Sequence, residues 1–266
     1  MLLYSYIRQI MTIEALQLVF MDTQNTNNNI ELKNVSVYDK NKLLLSEINL
    51  KLNQGELIGI IGKSGAGKTT ILNTIISFNN IKTGKIYFNN KIISTRKDKK
   101  KFRKNISYIS QFPNLINDLS VLDNLNRLCE FKKSWFGRMF WNPKDKENEQ
   151  IIKILENLGL KNKLFEKTEK LSGGEKQRLL VAIEIYNDKS IIFADEPTSN
   201  LDPFNADLII KQFKKMSKNK IVVINIHDLH LATKYCDKLI CLEKGKIKNI
   251  IEKKSFGKGN LNEFFD

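Results

Sequence analysis

The segment from Gly62 to Thr69 restricts the fold most, because it sets three glycines, a lysine and a threonine at fixed spacing. Its sequence, Gly-Lys-Ser-Gly-Ala-Gly-Lys-Thr, fits G-x-x-x-x-G-K-[ST] without a mismatch. In this P-loop pattern the glycines let the backbone bend round phosphates, the lysine reaches the β and γ oxygens, and the hydroxyl coordinates Mg²⁺. Residues 56–61, which are apolar after Glu56, predict a buried strand before it, and residues 70–76 predict a helix after it. The segment and its flanks therefore predict an α/β nucleotide-binding core.

A second apolar run ends in two carboxylates. Residues 191–194, Ile-Ile-Phe-Ala, precede Asp195 and Glu196. A run this apolar suits a central parallel strand that is covered on both faces, and ligands of open α/β sheets bind at the carboxyl ends of such strands. Beside a P-loop, we predict that Asp195 holds Mg²⁺ through water and that Glu196 faces the attacking water. The alternative is a strand capped by a solvated acidic turn.

Residues 171–178, Leu-Ser-Gly-Gly-Glu-Lys-Gln-Arg, look like half of a phosphate-binding site. A hydroxyl and two glycines directly before a helical stretch offer backbone N–H groups and the positive end of a helix dipole to an anion. No lysine or metal-binding hydroxyl follows in the right place to complete a nucleotide site. Alone, the segment is an incomplete site.

From about Ile30 to Ile251 the chain resembles the ATP-binding subunits of ABC transporters. The motifs fall in the family's order, which is Tyr38, the P-loop, Gln111, the signature at residues 171–178, Asp195 with Glu196, residues 199–202, and His227. The resemblance implies an α/β fold with a P-loop NTPase (RecA-like) core, an N-terminal antiparallel β subdomain and an inserted α-helical subdomain.

The resemblance also implies a role for each motif residue. Tyr38 is expected to stack on adenine, Gln111 to sense Mg²⁺ and the water, and His227 to touch the γ-phosphate. An ordinary strand aromatic and a solvated strand-end glutamine are the alternatives for Tyr38 and Gln111, and His230 is expected on a helix surface. The expected ATP-binding residues are Tyr38, Gly62, Lys63, Ser64, Gly65, Ala66, Gly67, Lys68, Thr69 and Thr70; the catalytic residues are Glu196, His227 and Gln111; the Mg²⁺ ligands are Thr69, Gln111 and Asp195.

The half-site gains an explanation from the same resemblance. In the family, the signature closes over ATP that the P-loop of a second subunit holds, so two chains sandwich two ATP molecules. A second ATPase subunit, giving a homodimer, is therefore the expected partner. The residues expected to act in trans are Leu171, Ser172, Gly173, Gly174 and Glu175, and the expected D-loop is Ser199, Asn200, Leu201 and Asp202.

The chain's 266 residues are enough for one large domain or two small ones. We assign residues 1–29 to a poorly ordered N-terminal extension, residues 30–251 to the ABC ATPase domain and residues 252–266 to a C-terminal tail. Helical patterns at residues 121–130 and 146–158 place the helical subdomain at about residues 112–184.

Cysteine spacing and hydropathy bear on location. The three cysteines show neither paired nor metal-ligand spacing, which favours a reduced cytoplasm, and no uninterrupted apolar run approaches the length that spans a bilayer. We expect a peripheral protein on the cytoplasmic face of the cell membrane. Its expected partners are transmembrane permease subunits and an extracytoplasmic solute-binding protein.

The net charge of +15 suggests nucleic-acid binding, but its distribution argues against that interpretation. Lysines are spread along the whole chain rather than gathered in one segment. The densest basic run, residues 96–104, is most simply a solvated connection, with contact to anionic lipid or a permease loop as alternatives. Nucleic acid is therefore not an expected partner.

Three segments bear on the type of transporter. Residues 117–125, 133–141 and 235–242 are similar to phosphonate-import ATPases, which favours an importer of a small solute such as a phosphonate or another phosphorylated organic compound. Trp135 and Trp141 could anchor a permease loop or pack in the core. The alternatives are an exporter or lipoprotein-release ATPase and a soluble DNA-linked ABC ATPase, although the interval between P-loop and signature leaves no room for the latter's coiled coil.

One segment departs from the family pattern. After the signature, the family has an Ala-Arg-Ala-Leu-like run, whereas this chain has Val181, Ala182, Ile183 and Glu184. An apolar residue replaces the usual arginine and a carboxylate follows it. We expect changed packing beneath the nucleotide strand and unchanged phosphate contacts.

Overall fold

The computed structural model describes residues 28–111, 114–130, 145–199, 201–256 and 261. The strands are β1 (Asn29–Asp39), β2 (Lys42–Asn53), β3 (Leu57–Ile61), β4 (Ile81–Phe88), β5 (Lys91–Ile92), β6 (Ile106–Ile109), β7 (Ile191–Asp195), β8 (Ile221–Asn225), β9 (Lys238–Glu243) and β10 (Lys246–Glu252). The helices are α1 (Lys68–Ser77), α2 (Arg96–Arg103), α3 (Val121–Leu128), α4 (Lys146–Asn157), α5 (Gly173–Asn187), α6 (Pro203–Ser217) and α7 (Leu229–Tyr235). Single 3₁₀ turns occur at Lys161–Lys163, Thr168–Lys170 and Lys253–Ser255. Among the described residues, no helix is long and apolar enough to cross a membrane.

Two sheets organise the chain. The larger has the order β10-β9-β3-β8-β7-β6, with parallel pairing from β9 to β6 and an antiparallel edge at β10. The smaller is antiparallel, in the order β2-β1-β4-β5. Every residue of β3, β7 and β8 is buried, as expected of parallel strands covered on both faces. This architecture confirms the predicted fold class.

Alternating side chains of the large sheet divide the core in two. Ile192 and Val222 belong to one apolar cluster, which includes Phe213 of α6 and the buried faces of α3, α4 and α5. Phe193 and Val223 belong to the other, which is built with α1 and the small sheet. Because successive strand residues point to opposite faces, the same short strands supply both clusters and hold the sheet as a middle layer.

Helices α3 and α4 confirm the helical patterns at residues 121–130 and 146–158, with ends at Leu128 and Asn157. A fully buried asparagine, Asn124, ties the start of α3 to its surroundings. Its Nδ2 donates to Ile116 O and to Thr168 Oγ1, each at 2.9 Å. Trp135 and Trp141 lie outside the described residues, as do residues 1–27 of the extension and most of the tail.

The basic run at residues 96–104 is largely exposed, in line with a solvated connection, but most of it is helical. It forms α2, because Thr95 and Asp98 make a capping box in which each side chain accepts the other's backbone N–H, at 3.1 and 3.0 Å. Phe102 is buried, and Arg103 donates to the carbonyls of Ile76 and Ser77 at the end of α1. Phe102 is the buried residue of this helix, and most of its basic side chains are exposed.

Helix α5 carries the departure from the family pattern near its C-terminal end. Ile183 is buried, and one carboxylate oxygen of Glu184 is buried with no hydrogen-bond partner among the described residues. Burial raises the pKa of Glu184 from its ordinary value of 4.5 to about 7; Lys220 and Lys189 oppose the rise, and Glu130 adds to it. Ile183 and Glu184 thus lie at the end of α5 far from the signature, and changed packing relative to the family stays a prediction.

Stability should depend on pH through Glu184. Folded chains bind this proton more tightly than unfolded chains, so the free energy of unfolding should fall as pH rises from about 4.5 to about 7 and then level off. Glu184→Gln cannot ionise. The free energy of unfolding of this variant, relative to that of the wild type, should therefore rise by about 2–3 kcal/mol between pH 5 and pH 8. Urea unfolding of both proteins across that range measures this difference. The exposed Glu149→Gln is the control, and an equal profile for both variants would contradict the assignment.

Candidate functional site

Four parallel strands bring the motifs to one edge of the large sheet. The P-loop follows β3, Gln111 follows β6, Asp195 ends β7 with Glu196 directly after it, and His227 follows β8. Because parallel strands share one direction, their carboxyl ends lie at the same edge, where open α/β sheets bind ligands. Segments far apart in the sequence therefore converge on a single site.

The P-loop makes a close turn into α1. A Cβ on Gly62 would lie 2.4 Å from Leu242 O, so only glycine fits there, and Gly67 caps α1 at a φ of +106°. The buried Lys68 folds its ammonium back over the loop and donates to Gly62 O at 2.5 Å and to Lys63 O at 3.3 Å. Thr69 is exposed in the first turn of α1. The loop thus offers backbone, ammonium and hydroxyl groups at the positive end of a helix.

A cavity of about 400 Å³ lies beside this loop. Lys63, Ser64, Gly65 and Ala66 line one side of it, and the turn between β9 and β10 lines the other. Its position at the exposed part of the loop leaves room for a bound group.

Tyr38 is half-buried near the end of β1. Its neighbour Val37 pairs with Leu45, and a Cβ on Gly67 would lie 3.1 Å from the Leu45 side chain. These contacts connect the Tyr38 end of β1, through Leu45, to the end of the P-loop. Stacking of Tyr38 on adenine stays a prediction.

Asp195 is buried between donors from the two neighbouring strands. Asn225 of β8 donates from Nδ2 to Oδ1 at 2.5 Å, and Tyr108 of β6 donates from its hydroxyl to Oδ2 at 3.3 Å. Burial and the charge of Asp195 raise the pKa of Tyr108 to about 12, so the phenol keeps the proton that it donates. Sequence reasoning missed both residues, although Asn225 stands out as the one polar residue of β8.

Glu196 leaves the strand in a strained conformation. Its φ of +51° lies in the left-handed region, which costs a non-glycine residue about 1–2 kcal/mol. The carboxylate accepts from Gln111 Nε2 at 2.9 Å and lies 2.5 Å from His227 Nε2. The three predicted catalytic residues are therefore brought together from three strands, and the strain falls where functional strain concentrates. His230 is exposed on α7, as predicted.

Ser199, the first residue of the predicted D-loop, packs directly against this group. Ser199 donates to Glu196 O from its backbone N–H at 3.1 Å and from its hydroxyl at 3.0 Å. A cavity of about 180 Å³ is lined by Glu196, Ser199, Leu201 and His227. Asp202 begins the next helix by accepting the backbone N–H of Asn205 at 3.0 Å. Asn200 lies outside the described residues.

The signature stands at the start of α5 and is partly open to solvent. Ser172 and Gly173 are exposed, and Leu171 is buried beneath them. Ser172 Oγ accepts the N–H of Glu175 at 3.2 Å, and the Glu175 carboxylate accepts the N–H of Ser172 at 2.8 Å. The second bond holds the pKa of Glu175 below its ordinary value. The capping box thus presets the exposed N-terminus of the helix.

The signature is also joined to α6. A Cβ on Gly174 would lie 3.1 Å from Asn205 Nδ2, and Arg178 donates to Asn205 Oδ1. In the described part of the chain, the other side-chain bonds of residues 171–178 run within the capping box and to Asn117. The structure therefore ties the signature to α6, whose N-cap residue Asp202 ends the predicted D-loop.

Comparisons with known proteins agree with this geometry. The family model described as ABC transporter matches residues 45–199. The phosphonates import ATP-binding protein PhnC of Mesoplasma florum is 38% identical over 248 residues, which cover 89% of this chain and 99% of that protein. The probable ABC transporter ATP-binding protein p29 of Mycoplasma pneumoniae is 38% identical over 202 residues, or 75% of this chain and 82% of that protein.

Solved structures show the same fold. One is cbiO1 from Clostridium perfringens, part of the ABC transporter complex cbiONQ, with a TM-score of 0.73 and 25% identity over 90% of this chain and 93% of that one. Another is the dimeric, post-hydrolysis ATP-binding cassette MJ0796 bound to ADP and phosphate, with a TM-score of 0.69 and 28% identity over 84% of this chain and 98% of that one. The chain belongs to the ABC transporter family, as one of its ATP-binding proteins, the ATPases that power transport.

Proposed function

We propose that this chain is the energy-coupling subunit of a membrane importer, and that it hydrolyses ATP at the edge formed by β3, β8, β7 and β6. The observation that supports the site most directly is the contact of Glu196 with both Gln111 and His227. A carboxylate that two flanking polar groups orient, at the sheet edge where the P-loop opens, is suited to act on water beside a bound phosphate.

Binding of ATP falls to the P-loop and its flanks. Residues 62–70 wrap the phosphates with backbone N–H groups, Lys68 neutralises the β and γ oxygens, and Tyr38 stacks on the adenine. Thr69, Gln111 and Asp195 offer the oxygen ligands that Mg²⁺ prefers, so these residues fit the ion. When bound, Mg²⁺ neutralises charge that develops on the phosphate oxygens.

Hydrolysis then needs little covalent chemistry from the protein. Glu196 accepts a proton from the attacking water, while Gln111 and His227 hold the carboxylate in place and His227 also reaches the γ-phosphate. Lys68 stabilises negative charge that grows on the transferred group. The strained backbone at Glu196 and the Ser199 bonds to its carbonyl fix the direction of the carboxylate.

The complete site needs a second copy of the chain. Ser172 and Gly174 of one copy contact the γ-phosphate of ATP held by the P-loop of the other. The start of α5 supports this arrangement, because Ser172 and Gly173 are exposed there and the capping box holds the helix N-terminus in place. The dimeric cassette MJ0796, similar in fold, is also consistent with two copies acting together.

The relatives support a proposal for the transported compound and for the membrane partners. Proteins from several organisms that are 31–38% identical to this chain carry the name phosphonates import ATP-binding protein PhnC, which supports import of a phosphonate or another small phosphorylated compound. The similar protein cbiO1 is part of a transporter complex. We therefore assign permease subunits, an extracytoplasmic solute-binding protein and a peripheral position on the cytoplasmic face of the membrane.

Glu196→Gln should stall turnover while ATP still binds. The amide keeps the shape of the side chain but cannot take a proton, so ATPase activity should fall about 10²–10⁴-fold. Phosphate release and binding of a fluorescent ATP analogue, measured on the same preparation, test this role. The exposed Glu149→Gln should keep wild-type activity. Equal ATPase rates in wild type and Glu196→Gln would remove Glu196 from this role.

Ser172→Arg should block assembly around ATP. The bulky side chain at the start of α5 would fill the place of the partner's phosphate, so ATPase should be lost while a single chain still binds nucleotide. Size-exclusion chromatography with ATP tests assembly. The Glu196→Gln variant should form dimers, and the double variant that also carries Ser172→Arg should remain a monomer. Ser94→Arg, at another exposed serine, should leave the dimer intact. ATP-dependent dimers of Ser172→Arg would refute the trans arrangement.

Purification of the chain with its native membrane partners tests the importer assignment. We expect permease subunits and a solute-binding protein to co-purify, and the latter to bind a phosphonate in a calorimetric titration. Permease subunits without any solute-binding protein would indicate an exporter. ATPase stimulated by DNA, with no membrane partner, would contradict a transport function.

A further inference from the structure

Asn225 occupies the strand end between the P-loop and Asp195. It ends β8, which lies between β3 and β7 in the large sheet. The backbone of Asn225 is in register with Ile60 on one side, just before the P-loop, and with Asp195 on the other. Its side chain is fully buried. A polar residue therefore stands at the centre of the predicted site, in a strand whose other residues are apolar.

The Asn225 side chain makes one short hydrogen bond, and its acceptor oxygen is unused. Nδ2 donates to Asp195 Oδ1 at 2.5 Å, and Oδ1 of Asn225 is buried with no partner among the described residues. An ionised carboxylate only accepts hydrogen bonds, so the amide nitrogen must face Asp195 and the amide oxygen must face away. A buried carbonyl without a donor is costly, so its presence beside Asp195 requires an explanation.

We propose that Asn225 is a positioning residue for Mg²⁺. Its Nδ2 fixes the rotamer of the Asp195 carboxylate, and its Oδ1 accepts a hydrogen bond from a water molecule that the ion carries. Tyr108 holds the second oxygen of Asp195 from the opposite strand. The inference rests on the proposed function, because it takes the P-loop edge as the site of Mg²⁺ and ATP.

The chemistry of the ion agrees with this role. Mg²⁺ gives up its water ligands reluctantly and is usually held by few carboxylates plus phosphates, so groups that receive its waters matter as much as direct ligands. Partners that orient a metal-binding carboxylate typically change metal affinity by about 10–100-fold when removed. An amide in this position can serve both needs, since it has a donor and an acceptor on one rigid plane.

Two variants test the polar groups of the Asn225 amide separately from the space that the side chain fills. Asn225→Leu keeps the number and branching of the side-chain heavy atoms, with methyl groups that take up more volume, and removes both polar groups. Asn225→Thr places a β-branched residue that suits a strand, and its hydroxyl restores a hydrogen-bond donor that can reach Asp195. Asn124→Leu is the matched control, because Asn124 is also a fully buried asparagine and bonds within the α3 region instead of to Asp195.

The experiment titrates Mg²⁺ against a fluorescent, non-hydrolysable ATP analogue bound to the full chain. Asn225→Leu should bind the analogue like the wild type in EDTA, and should need about 10–100-fold more Mg²⁺ for the metal-dependent gain in affinity. Asn225→Thr should need an intermediate concentration. Binding of Mn²⁺ to the protein–analogue complex, followed by electron paramagnetic resonance, should rank the variants in the same order. Asn124→Leu should lower the midpoint of thermal unfolding without changing the Mg²⁺ requirement.

Other outcomes would overturn the inference. Wild-type Mg²⁺ dependence in Asn225→Leu would show that the amide does not serve the ion. An equal change in Asn124→Leu would show that loosened packing alone produces the effect. If Asn225→Leu does not fold, Asn225→Thr decides, and its failure to change the Mg²⁺ requirement would end the proposal. Absence of Mg²⁺-dependent nucleotide binding in the wild type itself would instead contradict the proposed function.

Discussion

Parallel pairing of β3, β8, β7 and β6 is the constraint on which the site depends. Each strand is short, and β3, β7 and β8 are wholly buried, so their polar continuations can emerge only at the ends. Parallel strands put those ends on one edge, and neighbouring strands lie only about 5 Å apart. The strand ends alone thus bring to one edge the P-loop, two carboxylates, an amide and an imidazole, and no long loop is needed to position them.

The two carboxylates at this edge have different environments, and the difference suits different tasks. Asp195 is buried and held by Asn225 and Tyr108, so its direction is set by the sheet itself. Glu196 lies one residue later, beyond the strand, with its backbone in the left-handed region and its contacts to Gln111 and His227 more open to solvent. A fixed, dry carboxylate fits a metal ligand, and a reachable one fits a group that exchanges protons with water.

Patterns local to the sequence predicted the strands and the P-loop, because each motif follows an apolar run, whereas the resemblance to the family supplied the roles expected of Gln111 and His227. The capping signal of α2 was also local, in Thr95 and Asp98, but the lysine content of the run concealed it. Contacts of Asp195 with Tyr108 and Asn225 depend on the register of strands from distant parts of the chain. No periodicity within one segment encodes that register, so sequence reasoning could not reach it.

The signature differs from this edge of the sheet. Its helix N-terminus is already ordered, but it lacks the lysine and the metal-binding hydroxyl of a complete nucleotide site. The capping box between Ser172 and Glu175, with Leu171 buried beneath it, holds the N-terminus of α5 in place. Ordering these N–H groups before a ligand arrives removes much of the entropic cost of binding it. Bonds through Asn205 and Ser199 connect this half-site to the segment that carries Glu196. In the proposed dimer, a second copy would therefore meet a surface already shaped by the same contacts that position the Glu196 carboxylate, so one interface can serve both halves of the proposed reaction.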